Sequence, residues 1–308
     1  MWTKRGHIFS TRGVHDFSQS HAQVPVVLPM GDKWRIFYAT RNAQGQSHIT
    51  FLDVDSSNPS RILYEHTESI LPFGAPGTFD DCGVMPSCAI QCGDEIRLYY
   101  IGWTVRGSVP YHNAVGLAIS KDGGKTFERA FEGPIITVNA KEPYFSGTSF
   151  IIREADKWRM YYLSCIGWKS VEGKFEPYYH IKIAHSLDGL TWSQSNQVAI
   201  ELEGDEGGLV SASVVHFKDQ YHMWYGVRKD ADYRSNTQNT YRIGYATSAD
   251  GLQWKRKDHM AGITLSPSGW DSEMISYPYV IKSDQHLTMF YNGNGFGKTG
   301  FGYAERNI

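Results

Sequence analysis

VPVVLPMGDKWRIFY (24–38) reads as a β-hairpin: an apolar strand, a Gly-Asp turn, and a second strand that ends in an aromatic pair. The same sentence is written four more times, as PSCAIQCGDEIRLYY (86–100), SFIIREADKWRMYY (149–162), SASVVHFKDQYHMWY (211–225) and YPYVIKSDQHLTMFY (277–291). The closing tyrosines are Tyr38, Tyr100, Tyr162, Tyr225 and Tyr291, so the steps are 62, 62, 63 and 66 residues. Five units of that length use up the 308 residues, which predicts one domain over 1–308 with no room for a second.

Working outward, each hairpin is followed by a third strand and an aromatic-tipped fourth. AVGLAISKDGGKTF (114–127), IKIAHSLDGLTW (181–192) and YRIGYATSADGLQW (241–254) are the clear copies, and SHITFLDVDSSNPSRIL (47–63) is a looser one. In the three clear copies a Ser-x-Asp-Gly turn leads to Phe127, Trp192 or Trp254. Gly accepts positive φ there, and Asp hydrogen-bonds its own turn. Four antiparallel strands repeated five times predict an all-β fold, a five-bladed β-propeller. The fifth unit stops after its third strand, TGFGYAERNI. Trp2-Thr3-Lys4-Arg5 resembles Trp254-Lys255-Arg256, so the N-terminal strand is expected to complete the last blade and close the ring.

Counting back from the closing tyrosines locates the acids. Twenty residues before four of them stand Asp80, Glu142, Asp205 and Asp271; Asp81, Glu206 and Glu273 follow one or two positions on. The first unit has Ser18 at this offset and Asp16 two residues earlier. Inner strands line a propeller axis, so these carboxylates are expected to converge at one mouth of the channel, where mutual repulsion would be tolerated for function. Three residues past the tyrosines stand Arg41, Trp103, Cys165, Arg228 and Asn294, on strands that return to the same rim. The two arginines suit an anionic ligand group or the rim acids, and Trp103 and Trp168 suit a sugar face. His15 and His21 lie near the mouth of the first blade.

Five blades with acidic inner-strand starts resemble the glycosidases of the arabinanase/β-xylosidase type and the invertase/levansucrase type. FDDCGVMPSCA (79–89) resembles the blade-two stretch of invertases, and Lys141-Glu142-Pro143 stands where those enzymes carry Arg-Asp-Pro. The resemblance implies a glycoside hydrolase with Glu206 as general acid, Asp16 or Asp81 as base or nucleophile, and Glu142 as stabiliser. It further implies a substrate-binding rim of His21, Arg41, Asp80, Trp103, Arg228, Asp271 and Glu273. Cleavage needs one protonated and one ionised carboxyl on opposite faces of the bond. No cofactor is required by this chemistry. An axial calcium, frequent in the arabinanase type, stays open with no ligand set assigned. The sequence departs from these families in having Glu142 for Asp and Asp16 out of register, and in lacking the C-terminal sandwich that invertases add. Two other readings therefore remain: a non-hydrolytic carbohydrate-binding propeller, and a phosphorylase or transferase for phosphorylated or nucleotide sugars in polysaccharide biosynthesis.

Composition narrows the partners. Thirty Lys plus Arg against 32 Asp plus Glu leave a net charge of −2, which offers nucleic acid or an anionic membrane no general attraction. The longest apolar runs, such as Val24 to Leu28, fall far short of the roughly 20 residues of a spanning helix. MWTKRGHIFS carries no apolar signal core, so a cytoplasmic chain acting on a small carbohydrate is expected. Four cysteines without a CxxC pair argue against a disulfide or zinc scaffold. No P-loop, HExxH or GxSxG stretch occurs, and the Gly-rich FYNGNGFGKTGFG (290–302) reads as the loop between the second and third strands of the fifth unit and not as a phosphate cradle after a strand.

Overall fold

The computed structural model describes every residue except Asp156 and Glu172; Asp156, in the tight turn of the third hairpin, thus lies outside the described residues. The chain is built almost wholly of strands. β1 (Thr3–Phe9) precedes a sheet of β2 (Ser20–Met30), β3 (Lys33–Arg41), β4 (Ser47–Asp55) and β5 (Ile62–Glu65). The second sheet is β6 (Gly83–Cys92), β7 (Glu95–Val105), β8 (Tyr111–Ser120) and β9 (Glu128–Arg129). β10 (Ser146–Glu154), β11 (Lys157–Val171), β12 (Lys174–Ser186) and β13 (Ser193–Ile200) form the third unit. It joins the fourth, β14 (Glu206–Phe217), β15 (Gln220–Lys229), β16 (Arg242–Ser248) and β17 (Lys255–Arg256), through one parallel bridge between Tyr179 and Gly208. The last sheet is β18 (Ser276–Lys282), β19 (His286–Asn292) and β20 (Phe301–Asn307), with β1 paired antiparallel to β20. The N-terminal strand therefore supplies the fourth strand of the fifth unit. No sheet closes on itself among the described residues.

Burial explains the strand grammar. The second strand of each unit carries an unbroken apolar run, such as Ile36 to Ala39, because it is covered on both sheet faces. Outer strands such as β5 are short and exposed, which limits the edge they offer. The five inner strands β2, β6, β10, β14 and β18 touch one another in cyclic order. Each breaks register at the same place, between Gln23 and Val26, Pro86 and Cys88, Ser146 and Ser149, Val210 and Ser213, and Ser276 and Tyr279. Three residues fourteen before a closing tyrosine, Val24, Ser211 and Tyr277, take positive φ at these bulges.

The bulges free polar groups that bond to the next unit. Ser87 Oγ donates to Ser149 O (2.8 Å), Ser211 N to Thr148 Oγ1 (2.9 Å) and Val280 N to Ser213 Oγ (2.8 Å). Val24 N donates to Asn292 Oδ1 (2.7 Å), which ties the fifth unit to the first.

The Ser-x-Asp-Gly turns are structural devices. Ser120, Ser186 and Ser248 donate to Asp122, Asp188 and Asp250, and the turn carbonyls accept from the preceding unit. Tyr99 donates to Gly189 O (2.8 Å) and Tyr161 to Gly251 O (2.7 Å), while Arg97 and Arg159 reach Asp188 O and Asp250 O.

Candidate functional site

Three of the carboxylates at the twenty-residue offset are each engaged by donors of their own, and none of the four lines the central cavity described below. Asp80 is buried, and accepts hydrogen bonds from the Tyr100 hydroxyl (2.9 Å) and Arg129 Nε (2.8 Å). Glu142 accepts from Tyr162 at both oxygens (3.0 Å each) and from Ser164 Oγ (2.8 Å), with Lys182 Nζ at 3.6 Å. Asp271 accepts from Tyr291 (2.9 Å) and Lys4 Nζ (2.6 Å). In each case the closing tyrosine latches onto the carboxylate twenty residues before it. Burial and the neighbouring carboxylate push all three phenols well above their ordinary range, so they remain donors. The repeated offset therefore records an intra-unit latch, which gives these acids a structural task. A buried carboxylate is tolerable once donors satisfy it, and spacing the acids one per unit avoids their repulsion.

The remaining acids are differently engaged. In the fourth unit Asp205 sits exposed against Lys229, and Tyr225 donates instead to Asp258 (2.6 Å). Glu206 is clamped by Arg256, whose two terminal nitrogens lie 2.7 and 2.8 Å from its oxygens, and it accepts from Glu203 N. The same guanidinium also reaches Asp258, so Arg256 ties Glu206 to that second carboxylate. Asp16 is exposed in a tight turn bounded by the His15–Ser18 bridge, and Glu273 is exposed beside Asn294. Burial pushes the Asp81 carboxyl up, but hydrogen bonds from Gly77 N, Thr104 and Cys82 hold it below its ordinary value. One oxygen of Asp81 is buried with no partner. Among the described residues no three His, Cys, Asp or Glu side chains are grouped to hold a metal, so the donor set does not fit an axial calcium bound by side chains.

What gathers over the axis is a cavity of about 350 Å³, walled by residues from all five units. His21, Arg41 and Trp103 line it, as the rim reading expected. Trp103 is held by its Nε1–H on Ser47 Oγ (2.7 Å). Arg228 does not reach the rim. It is 1% exposed and donates to Tyr179 Oη (3.0 Å), Lys229 O (2.9 Å) and Pro177 O (2.6 Å) beneath the cavity floor.

Several lining groups escaped the sequence reading: Arg234, Tyr111, Tyr179, Tyr233, Tyr241 and Tyr277. Four lining residues share one register. Ser47 begins β4, Asn113 and Tyr179 lie within β8 and β12, and Tyr241 directly precedes β16; Ser47, Asn113 and Tyr179 pair across to Arg41, Trp103 and Cys165. Tyr179 and Tyr241 are 62 residues apart, and their hydroxyls touch. The cross-strand partner of the third residue past each tyrosine was the signal for these.

The wall is cationic and aromatic, with no Asp or Glu in it. Arg41 donates its Nε–H to Gln23 (3.2 Å) and has no carboxylate partner among the described residues. Burial lowers its pKa, Tyr277 opposes that, and Arg234 lowers it further. Arg234 is paired with Glu176 (3.1 Å), and its guanidinium lies over Phe296. Burial, with Arg41 and Lys298 nearby, holds His21 down at about 4, so its imidazole is neutral at pH 7.

Solved structures of similar fold are glycoside hydrolases. A thermostable family-43 glycoside hydrolase superposes with TM-score 0.71 at 14% identity, over 100% of this chain and 92% of that one. A GH130 protein, from the family of mannoside phosphorylases that contains glycoside hydrolases for β-1,2 mannosidic linkages in Candida mannan, gives 0.68 at 13%, over 100% and 94%. A Bombyx mori GH32 β-fructofuranosidase gives 0.61 at 18%, over 93% and 61%. The resemblance to the arabinanase and invertase types therefore holds for the fold. No family model matches the chain. Two Mycobacterium tuberculosis proteins, Uncharacterized protein Rv1502 and Uncharacterized protein MT1551, are each 38% identical over 305 residues, which is 98% of this chain and 98% of each of them. At that identity, sustained from end to end, the chain belongs to the family of Rv1502 and MT1551.

Proposed function

We propose that the five units form a five-bladed propeller whose axial cavity binds a small anionic sugar, a uronate or a sugar phosphate, and that the protein acts on glycosides of that sugar. The cyclic contacts of the inner strands and the Val24–Asn292 bond support the ring. The glycoside hydrolases of similar fold support the carbohydrate class. The observation that carries the anionic ligand is the cavity wall itself, with Arg41, Arg234 and neutral His21 and no carboxylate. Arg234 shares its charge with Glu176, whereas Arg41 has no carboxylate partner among the described residues; its guanidinium in a half-buried cavity favours an anion, and each charge-assisted hydrogen bond contributes about 1.5–3 kcal/mol. Trp103, Tyr111 and Tyr277 supply the flat apolar surfaces that a pyranose face packs on.

The paired-carboxylate route of most glycosidases is not assembled in this wall, which favours a second reading as a binding propeller without turnover. Isothermal titration calorimetry with glucuronate, glucose 1-phosphate and glucose tests the shared part. Binding of either anion at least tenfold tighter than glucose supports it, and equal or absent binding of all three overturns it. Release of 4-nitrophenol from its glucuronide then separates the enzyme from the binding protein.

A further inference from the structure

The cavity floor holds a chemical arrangement that a plain sugar-binding wall does not need. Arg228 is 1% exposed, and its hydrogen bonds go to one phenol and two main-chain carbonyls, with no carboxylate among them. The phenol is Tyr179, whose hydroxyl also meets that of Tyr241. The Tyr179 ring rests on bare backbone: a Cβ on Gly208 would come within 2.3 Å of it. Glycine at 208, itself paired with Tyr179 in the parallel bridge, makes the seat that places this ring.

A phenol oxygen accepts two hydrogen bonds and donates one. Either hydroxyl of the Tyr179–Tyr241 pair can donate to the other; with Arg228 Nε–H directed at Tyr179 and Tyr241 as the donor of the pair, the hydrogen of Tyr179 is left for the cavity. We propose that the Tyr179–Tyr241 pair, backed by Arg228, is the proton-donating centre of this site, and that Tyr179 protonates the leaving oxygen of a bound glycoside. This rests on the reading of the cavity as a sugar site. In the step, the glycosidic C–O bond breaks with its electrons passing to the leaving oxygen, which takes the Tyr179 proton. The phenolate that remains is held by Arg228 and Tyr241. Water then bonds to the anomeric carbon, and its released proton returns to Tyr179. A neutral phenol backed by a cation suits an anionic ligand, since an ionised carboxylate in its place would repel it.

The other phenols are differently employed. Tyr233 donates to Glu176 (2.5 Å). Burial, together with Tyr179, pushes Tyr241 well above its ordinary range, so its hydroxyl stays protonated. The charged and titratable groups facing the pair are Arg228, Arg234, Tyr111, Tyr233, Tyr277 and the Cys165 thiol.

Dependence on the leaving group reads the proton donor directly. On methyl glucuronide, Tyr179→Phe is expected to lose roughly 10²–10⁴-fold in kcat, while the 4-nitrophenyl glucuronide, whose leaving group needs no proton, stays within about tenfold. Equal losses on both overturn the proposal. Tyr241→Phe keeps the Tyr179 hydroxyl and is expected to show the same split with a smaller loss, so it carries the test if Tyr179→Phe does not fold; its losing both activities equally, or neither, also overturns the proposal. Glucuronate binding by calorimetry separates the failures. A wild type that binds no anion sinks the sugar reading, and one that binds the anion but cleaves neither glycoside, or whose variants show no split, sinks the proton centre alone.

Discussion

Tyr162 hands its hydroxyl hydrogen to Glu142, twenty residues earlier in the chain, with both carboxylate oxygens 3.0 Å away. Tyr100 with Asp80 and Tyr291 with Asp271 repeat the contact at the same separation. The latch fastens the segment that enters an inner strand to the end of the second strand of the same unit. It gives the acids a structural task and leaves the cavity wall to other residues.

Removing a latch donor should cost stability and spare the ligand. Tyr162→Phe leaves Glu142 buried with Ser164 and Lys182 as its remaining partners, and is expected to lower unfolding free energy by about 1–3 kcal/mol. Urea denaturation reads the loss. Unchanged stability combined with lost ligand binding would return Glu142 to the site.

Arg41 should behave in the opposite way. Its guanidinium makes one side-chain hydrogen bond, to Gln23, so Arg41→Ala is expected to leave the melting temperature within a few degrees. Binding of glucuronate or glucose 1-phosphate should weaken about ten- to a hundredfold, in line with one lost charge-assisted contact. Glucose should be affected less. Equal weakening for glucose and the anions would assign Arg41 a shape-filling role.

The N-terminal strand is expected to be needed for the fifth unit. Deleting residues 1 to 6 removes most of the β1–β20 pairing and the Lys4–Asp271 ion pair, and uncovers Trp224, against which Trp2 packs edge-on at 5.4 Å. Thermal unfolding should begin several degrees lower, with aggregation through the bared edge of β20. A truncated chain that melts like the full one would show that β1 contributes little.

Acid should destabilise the fold through two histidines. Burial holds both His21 and His222 down at about 4, against an ordinary 6.5. Between those values the unfolded chain binds more protons than the folded one, so stability is intact above pH 6.5 and falls as the pH drops towards 4. The double variant His21→Gln, His222→Gln should flatten the melting temperature over that window. A melting curve equally steep in the variant would assign the acid loss to other groups, first of all His48, His112 and His180, which burial also holds below their ordinary value.

The sequence by itself determined the repeat, its period, the strand order within each unit and the role of Trp2 to Arg5 as the missing outer strand. These are local properties: hairpin turns, alternation and apolar runs act between residues close in the chain. It also carried the register that brings His21, Arg41 and Trp103 to the cavity, because equivalent positions in equivalent units arrive at equivalent places. What tertiary structure alone decided was the use of each charge. Asp80 and Asp81 are adjacent in sequence, yet one is latched to a tyrosine and the other keeps a buried oxygen without a partner. Arg41 and Arg228 share an offset, yet one lines the cavity and the other lies under its floor, because Tyr179 on the neighbouring unit covers the second and nothing equivalent covers the first. Offset along the chain sets where a side chain begins. Whether it ends in a hydrogen bond or in open space depends on neighbours contributed by other units, and a single repeat holds no record of them.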